Sequence, residues 1–118
     1  MKRQLTFLTI FAVVLIAGCA SQGEEPVSLL AQAETSLNQA RSSDALQHAP
    51  AAYRQAEEHL EEAKSAIDKE EYAMATLALE KSIADSNYAM VKANAEKTKM
   101  SANQIERDLE VLRQEAFN

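Results

Sequence analysis

Glycine and proline are scarce in this chain. Gly18, Gly23, Pro26 and Pro50 are all there is, and neither residue type occurs after Pro50. A stretch that long without turn residues excludes a β-rich body, which needs frequent punctuation, and points to helices. Tryptophan is absent, and the six remaining aromatics are Phe7, Phe11, Tyr53, Tyr72, Tyr88 and Phe117. Apolar content comes mostly from alanine, so any core is thin. The single cysteine, Cys19, excludes an intramolecular disulfide and a thiolate-only metal centre. G-x-S-x-G, H-E-x-x-H, phosphate-loop and dinucleotide-binding motifs are missing, so no catalytic residue and no cofactor site is expected.

What is present begins at the N-terminus. Lys2 and Arg3 precede an apolar run, Leu5 to Ile16, broken only by Thr6 and Thr9. The run is shorter than the ~20 residues that span a bilayer. Basic start, short apolar core and small residues ahead of a cut point describe a secretory signal peptide. The residues Ile16-Ala17-Gly18-Cys19 resemble the lipobox of bacterial lipoproteins. That resemblance implies cleavage between Gly18 and Cys19 and acylation of Cys19 with palmitate-type chains. Several acyl chains give firm anchoring, at ~0.8 kcal/mol per buried CH₂. Ala20 and Ser21 follow, and the enteric sorting rule then implies the periplasmic face of the outer membrane of a Gram-negative cell. The expected organisation is a signal peptide over 1–18, a lipidated cysteine and tether over 19–25, and a helical domain over 26–118.

Loss of Lys2 and Arg3 with the signal leaves 10 basic side chains against 18 acidic ones, a formal −8. That balance argues against nucleic acid as a partner.

Within the helical domain the apolar spacing alternates between three and four. One stripe is Leu46, Ala49, Tyr53, Ala56, Leu60, Ala63 and Ile67. A second is Tyr72, Ala75, Leu79, Ser82, Ser86, Ala89 and Ala93. A third, shifted in phase, is Tyr88, Val91, Ala95, Thr98, Ala102, Ile105, Leu109, Leu112 and Ala116. Pro26 suits a helix start, and Pro50 either starts a helix or kinks one. The chain must turn near Asp68–Tyr72, with Asp68 and Glu71 spaced as a capping box.

The expected fold is therefore all-α, a long antiparallel helical hairpin of coiled-coil character with a break near Ser43–Pro50. In the register that fits best, Leu30 meets Leu112, Leu37 meets Ile105, Ala63 meets Leu79, and Lys97 and Lys99 reach Asp44. The alternative is a three-helix bundle in which the first helix folds back at the break.

Two histidines were candidates for chemistry. His48 and His59 lie ~16 Å apart if on one helix, too far to share a metal. His59 sits among Glu57, Glu58, Glu61 and Glu62 and reads as solvated in an acidic face. No metal site is expected, although His59 with the acidic face is the place where a metal or small ligand would bind if this were a ligand-binding lipoprotein. The three tyrosines read as packing residues.

Residues 33–96, with an alanine-spaced helix, the Ala49-Pro50 step, Ala56 and Ala63, Tyr72 at a turn and a second alanine helix, resemble the lipoprotein family catalogued as domain of unknown function 4398. Its members are Gram-negative envelope lipoproteins, some with an added OmpA-like domain that binds peptidoglycan. This chain reaches Asn118 without one, so the resemblance does not imply peptidoglycan binding. The resulting expectation is a non-enzymatic, lipid-anchored envelope protein with a structural or adaptor role. It would bind a protein partner or further copies of itself through its helical surface. An accessory subunit of an envelope transport or assembly complex is the alternative.

Overall fold

The computed structural model describes residues 23–117, so Gly18 and Cys19 lie outside the described residues. Four helices follow in order: α1 (Val27–Ser42), α2 (Ala45–His48), α3 (Pro50–Asp68) and α4 (Tyr72–Ala116). No strand occurs among the described residues. At 1.5 Å per residue, the 45 residues of α4 extend for about 67 Å.

Each break has a local cause. Asp44, at φ 61°, ends α1 in the left-handed conformation, and its N–H donates to the Arg41 carbonyl at 3.0 Å. Aspartate tolerates that conformation better than most side chains. α2 is a single turn, after which Ala49 caps α3 and Pro50 occupies its first position. There the missing N–H has no helical partner to lose, so Pro50 starts a helix and kinks none.

The turn between α3 and α4 works without glycine. Glu70, at φ 60°, takes the left-handed position, while the Glu71 N–H reaches the Ala66 carbonyl (2.8 Å) and the Glu70 N–H reaches Ile67 (2.9 Å). That pair of bonds is a Schellman motif, here with glutamate where glycine is usual. The expected capping box is corrected. Asp68 is the last residue of α3, and Glu71 caps α4 with no side-chain bond.

The antiparallel hairpin is formed by α3 and α4. The Ser82 hydroxyl donates to the Ala56 carbonyl at 2.9 Å, and His59 meets Asp85 at 2.7 Å. Lys97 donates to Asp44 at 3.0 Å, as the register expected. Its core is a seam of small side chains. Ala56, Ala63, Ala75, Ala89 and Ala93 are fully buried, with Leu60, Leu79 and Tyr53 as the large contributors.

The outer part of the expected register is corrected. Glu34 of α1 pairs with Lys64 of α3 at 3.3 Å, and Arg41 pairs with Glu57 at 3.8 Å. Rising numbers on α1 thus meet falling numbers on α3. So α1 folds back at Ser43–Ala49, antiparallel to α3 and parallel to the first half of α4, and buries Ala33, Leu37 and Ala40 there. The hairpin gains a third helix, and Leu30 and Leu37 do not reach Leu112 and Ile105. Those two are 59% exposed, and every residue from Thr98 to Phe117 is exposed. Among the described residues, none packs on the second half of α4, which projects from the bundle.

Candidate interaction surface

The position of α1 decides which end of the molecule is which. Glu34 lies beside Lys64, so Val27, seven residues earlier, lies toward the α3–α4 turn. The N-terminal segment therefore enters at the turn end, and the bare half of α4 points away from it.

The charged groups of the described residues pair along and across the helices. His59 is only 19% exposed at its side chain and its Nδ1 faces Asp85 Oδ2 at 2.7 Å. This corrects the solvated reading. The glutamates on its own helix lie along the surface, and its partner comes from α4. With Nδ1–H donating to the carboxylate, the contact ties α3 to α4 as a polar stitch beside an apolar seam. Nothing in the sequence marked Asp85, which lies 26 residues away on another helix. His48 ends α2, on a different helix from His59, and is half-buried. No group of three or more His, Cys, Asp or Glu side chains among the described residues is arranged to hold a metal ion.

Tyrosine roles divide. The Tyr53 ring is buried, its hydroxyl accepts from Arg41 Nε at 2.9 Å, and the Arg41 guanidinium stands 5.9 Å from the ring centre. This contact fastens the C-terminal end of α1 to α3. Tyr72 is half-buried at the turn. Tyr88, expected to pack in the core, is 57% exposed with Lys92 over its ring at 5.7 Å. The reason is phase. Ala89 and Ala93 take the inward face of α4, and Tyr88 falls on the far side.

Small polar residues are handled unequally. Thr35, Ser42, Ser43, Thr76, Thr98 and Ser101 each bond the carbonyl four residues back. Ser82 bonds across to α3. Ser86 Oγ is buried without any partner.

The large apolar side chains left exposed on α4 include a row on one side, with the smaller Ala95, Thr98 and Ala102 at its middle. Tyr88, Val91, Ile105, Leu109 and Leu112 are each between 57% and 63% exposed and lie along one side of α4. Isolated exposed leucines are ordinary, whereas a row of them along one helix side is a candidate interaction surface.

The model of the family described as Domain of unknown function (DUF4398) matches residues 28–105. The chain belongs to that family. The DUF4398 match covers the three-helix bundle and runs on into the projecting half of α4 as far as Ile105. Neither a curated protein nor a solved structure matches the chain. No described helix is long and apolar enough to cross a membrane.

Proposed function

We propose that this protein is a non-enzymatic, lipid-anchored component of the Gram-negative cell envelope, with a structural or adaptor role. The observation that carries the reading is a polarity in the molecule. The lipobox-like Ile16–Cys19 precedes a tether that enters at the α3–α4 turn, while the apolar half of α4 extends from the opposite end. An anchor at one end and a free interaction face at the other suit a protein that holds a contact away from a membrane surface. Acylation at Cys19 supplies the anchor, and the periplasmic face of the outer membrane is the surface it serves.

A second reading, an accessory subunit of an envelope transport or assembly complex, is supported by the same exposed stripe, which a larger assembly would cover. A role in metal or small-ligand binding has less support, because His59 is already engaged by Asp85.

The test is incorporation of a fatty-acid probe. The wild-type chain should take up label and sediment with outer membranes. Cys19→Ser should take up none and accumulate as the uncut precursor. Label on the substituted protein would overturn the anchoring.

A further inference from the structure

The bare half of α4 obeys a stricter rule than a solvated helix needs. Tyr88, Val91, Ala95, Thr98, Ala102, Ile105, Leu109, Leu112 and Ala116 follow steps of three and four without a slip. These are the a and d positions of four heptads. At 3.6 residues per turn the stripe starts on the side of α4 opposite buried Ala89 and Ala93. The bundle therefore leaves it open along its whole length. Upstream the same spacing continues through Met74, Leu77 and Ala84 but is interrupted by Lys81.

We propose that this stripe pairs with the same stripe of a second copy of the chain, in a parallel coiled coil over Tyr88–Ala116. Charge selects both the occupant and the direction. In a parallel pairing each g position faces the e position five residues on in the other copy. Asp108 then meets Arg113, while Asn87 meets Lys92, Asn94 meets Lys99 and Ser101 meets Glu106. One pair attracts, and none is of like charge.

An antiparallel pairing aligns e with e and g with g. Setting Leu109 on Ile105 of a reversed copy places Glu106 against Glu106, Asp108 against Asp108 and Lys99 against Arg113. Every charged pair then repels. Sliding the copies one heptad one way puts Leu109 on Thr98 and Leu112 on Ala95, which wastes the large side chains, and brings Lys92 against Arg113. Sliding the other way sets Leu109 on Leu112 but shortens the seam to Ile105–Ala116 and brings Asp108 against Glu115.

The chain's own tether does not reach the projecting part of the stripe. Residues Cys19–Glu25 extend at most ~25 Å, enough to approach Tyr88, whereas Tyr72 to Thr98 spans about 39 Å of helix. The pairing does not depend on how the protein is anchored.

The experiment uses the full chain in membranes with a short bis-maleimide crosslinker. Ile105→Cys and Val91→Cys are tested singly. The wild type reports any background from Cys19, and Arg107→Cys, on the outer side of the helix, is the control. Both stripe variants should form crosslinked dimers above the wild type, and Arg107→Cys should not. A parallel arrangement alone brings both positions against their own copies. Adding Leu109→Asp to Ile105→Cys should lower the dimer yield at least about tenfold. Because Leu109 is exposed in the single chain, the helical circular dichroism should not change.

Absence of both dimers would overturn the proposal. So would crosslinking only between Ile105→Cys and Leu109→Cys chains, which reports a reversed copy. Crosslinking only to a different protein would assign the stripe to a foreign helix and overturn it equally. None of these results bears on fatty-acid labelling at Cys19, so the two readings fail separately.

Discussion

The two halves of α4 share one backbone and one spacing, yet one is buried and the other bare. In the bundled half the stripe reads Ala75, Leu79, Ser82, Ser86, Ala89 and Ala93, all buried. In the projecting half a stripe shifted in phase reads Ile105, Leu109 and Leu112, all about 60% exposed. The smaller residues are the covered ones. Alanine and serine let α3 and α4 approach closely, and Ser82 even reaches the Ala56 carbonyl of the facing helix. Spacing thus tells that a helix has a face. Side-chain size and the direction of the neighbouring chain decide what covers it.

The most forceful way to break this comparison is to truncate one large residue in each half. Leu79→Ala, at a fully buried site, should cost about 2–5 kcal/mol of stability. Leu112→Ala, measured on dilute protein by urea denaturation, should stay within about 0.5 kcal/mol of wild type. Equal losses would mean that the projecting half is part of the cooperative unit.

The two buried serines sharpen the comparison within the bundled half. Ser82→Ala should destabilise by about 1 kcal/mol, since its cross-helix hydrogen bond is lost. Ser86→Ala should stabilise by a similar ~1 kcal/mol, because it removes a buried hydroxyl with no partner. Shifts of the same sign in the denaturation midpoint would refute the assigned roles.

The smallest effect concerns the turn that sets α4 against α3. A non-glycine residue in the left-handed region costs ~1–2 kcal/mol, and glycine returns part of that as chain entropy. Glu70→Gly should therefore raise stability by about 0.5 kcal/mol. The gain should appear as slower amide exchange in the bundle. Exchange beyond Thr98 should stay at its wild-type rate. A destabilised bundle would show that Glu70 makes contacts beyond its backbone geometry.

Much of the fold was legible in the sequence. Pro50 marked a helix start or a kink and proved the former, a turn was expected near Asp68–Tyr72 and lies there, and Asp44 has Lys97 as its partner. The hairpin of α3 and α4 was readable because alanine-spaced stripes lie on both sides of one turn, although the near-equal arms 26–69 and 71–116 do not pair along their whole length. The course of α1 was not. Leu30 and Leu37 match Leu112 and Ile105 in size and spacing, so an extended arm satisfied the pattern as well as a returning one. What decides between them is the left-handed Asp44, and no glycine announces it. The same silence surrounds Glu70.

The interaction surface was half legible. The third stripe was visible as a seam, but its assignment to α1 hid that it is free. The contact between His59 and Asp85 was beyond reach, because it depends on the rotation of two helices about their axes. Tyr88 was misplaced for that reason as well. A shift of one residue in phase carries a side chain through about 100° on a helix.

The unbroken course of α4 has a mechanical consequence. From Lys97 to Ala116 the helix runs about 29 Å beyond its last support, with neither proline nor glycine to bend it. It therefore acts as a lever arm. A tilt of the bundle by about 20° about its turn end sweeps the tip, roughly 66 Å of straight helix away, through ~23 Å. Small rocking at the turn end is amplified into a wide search at the far end, and capture of the tip would in turn hold the bundle upright.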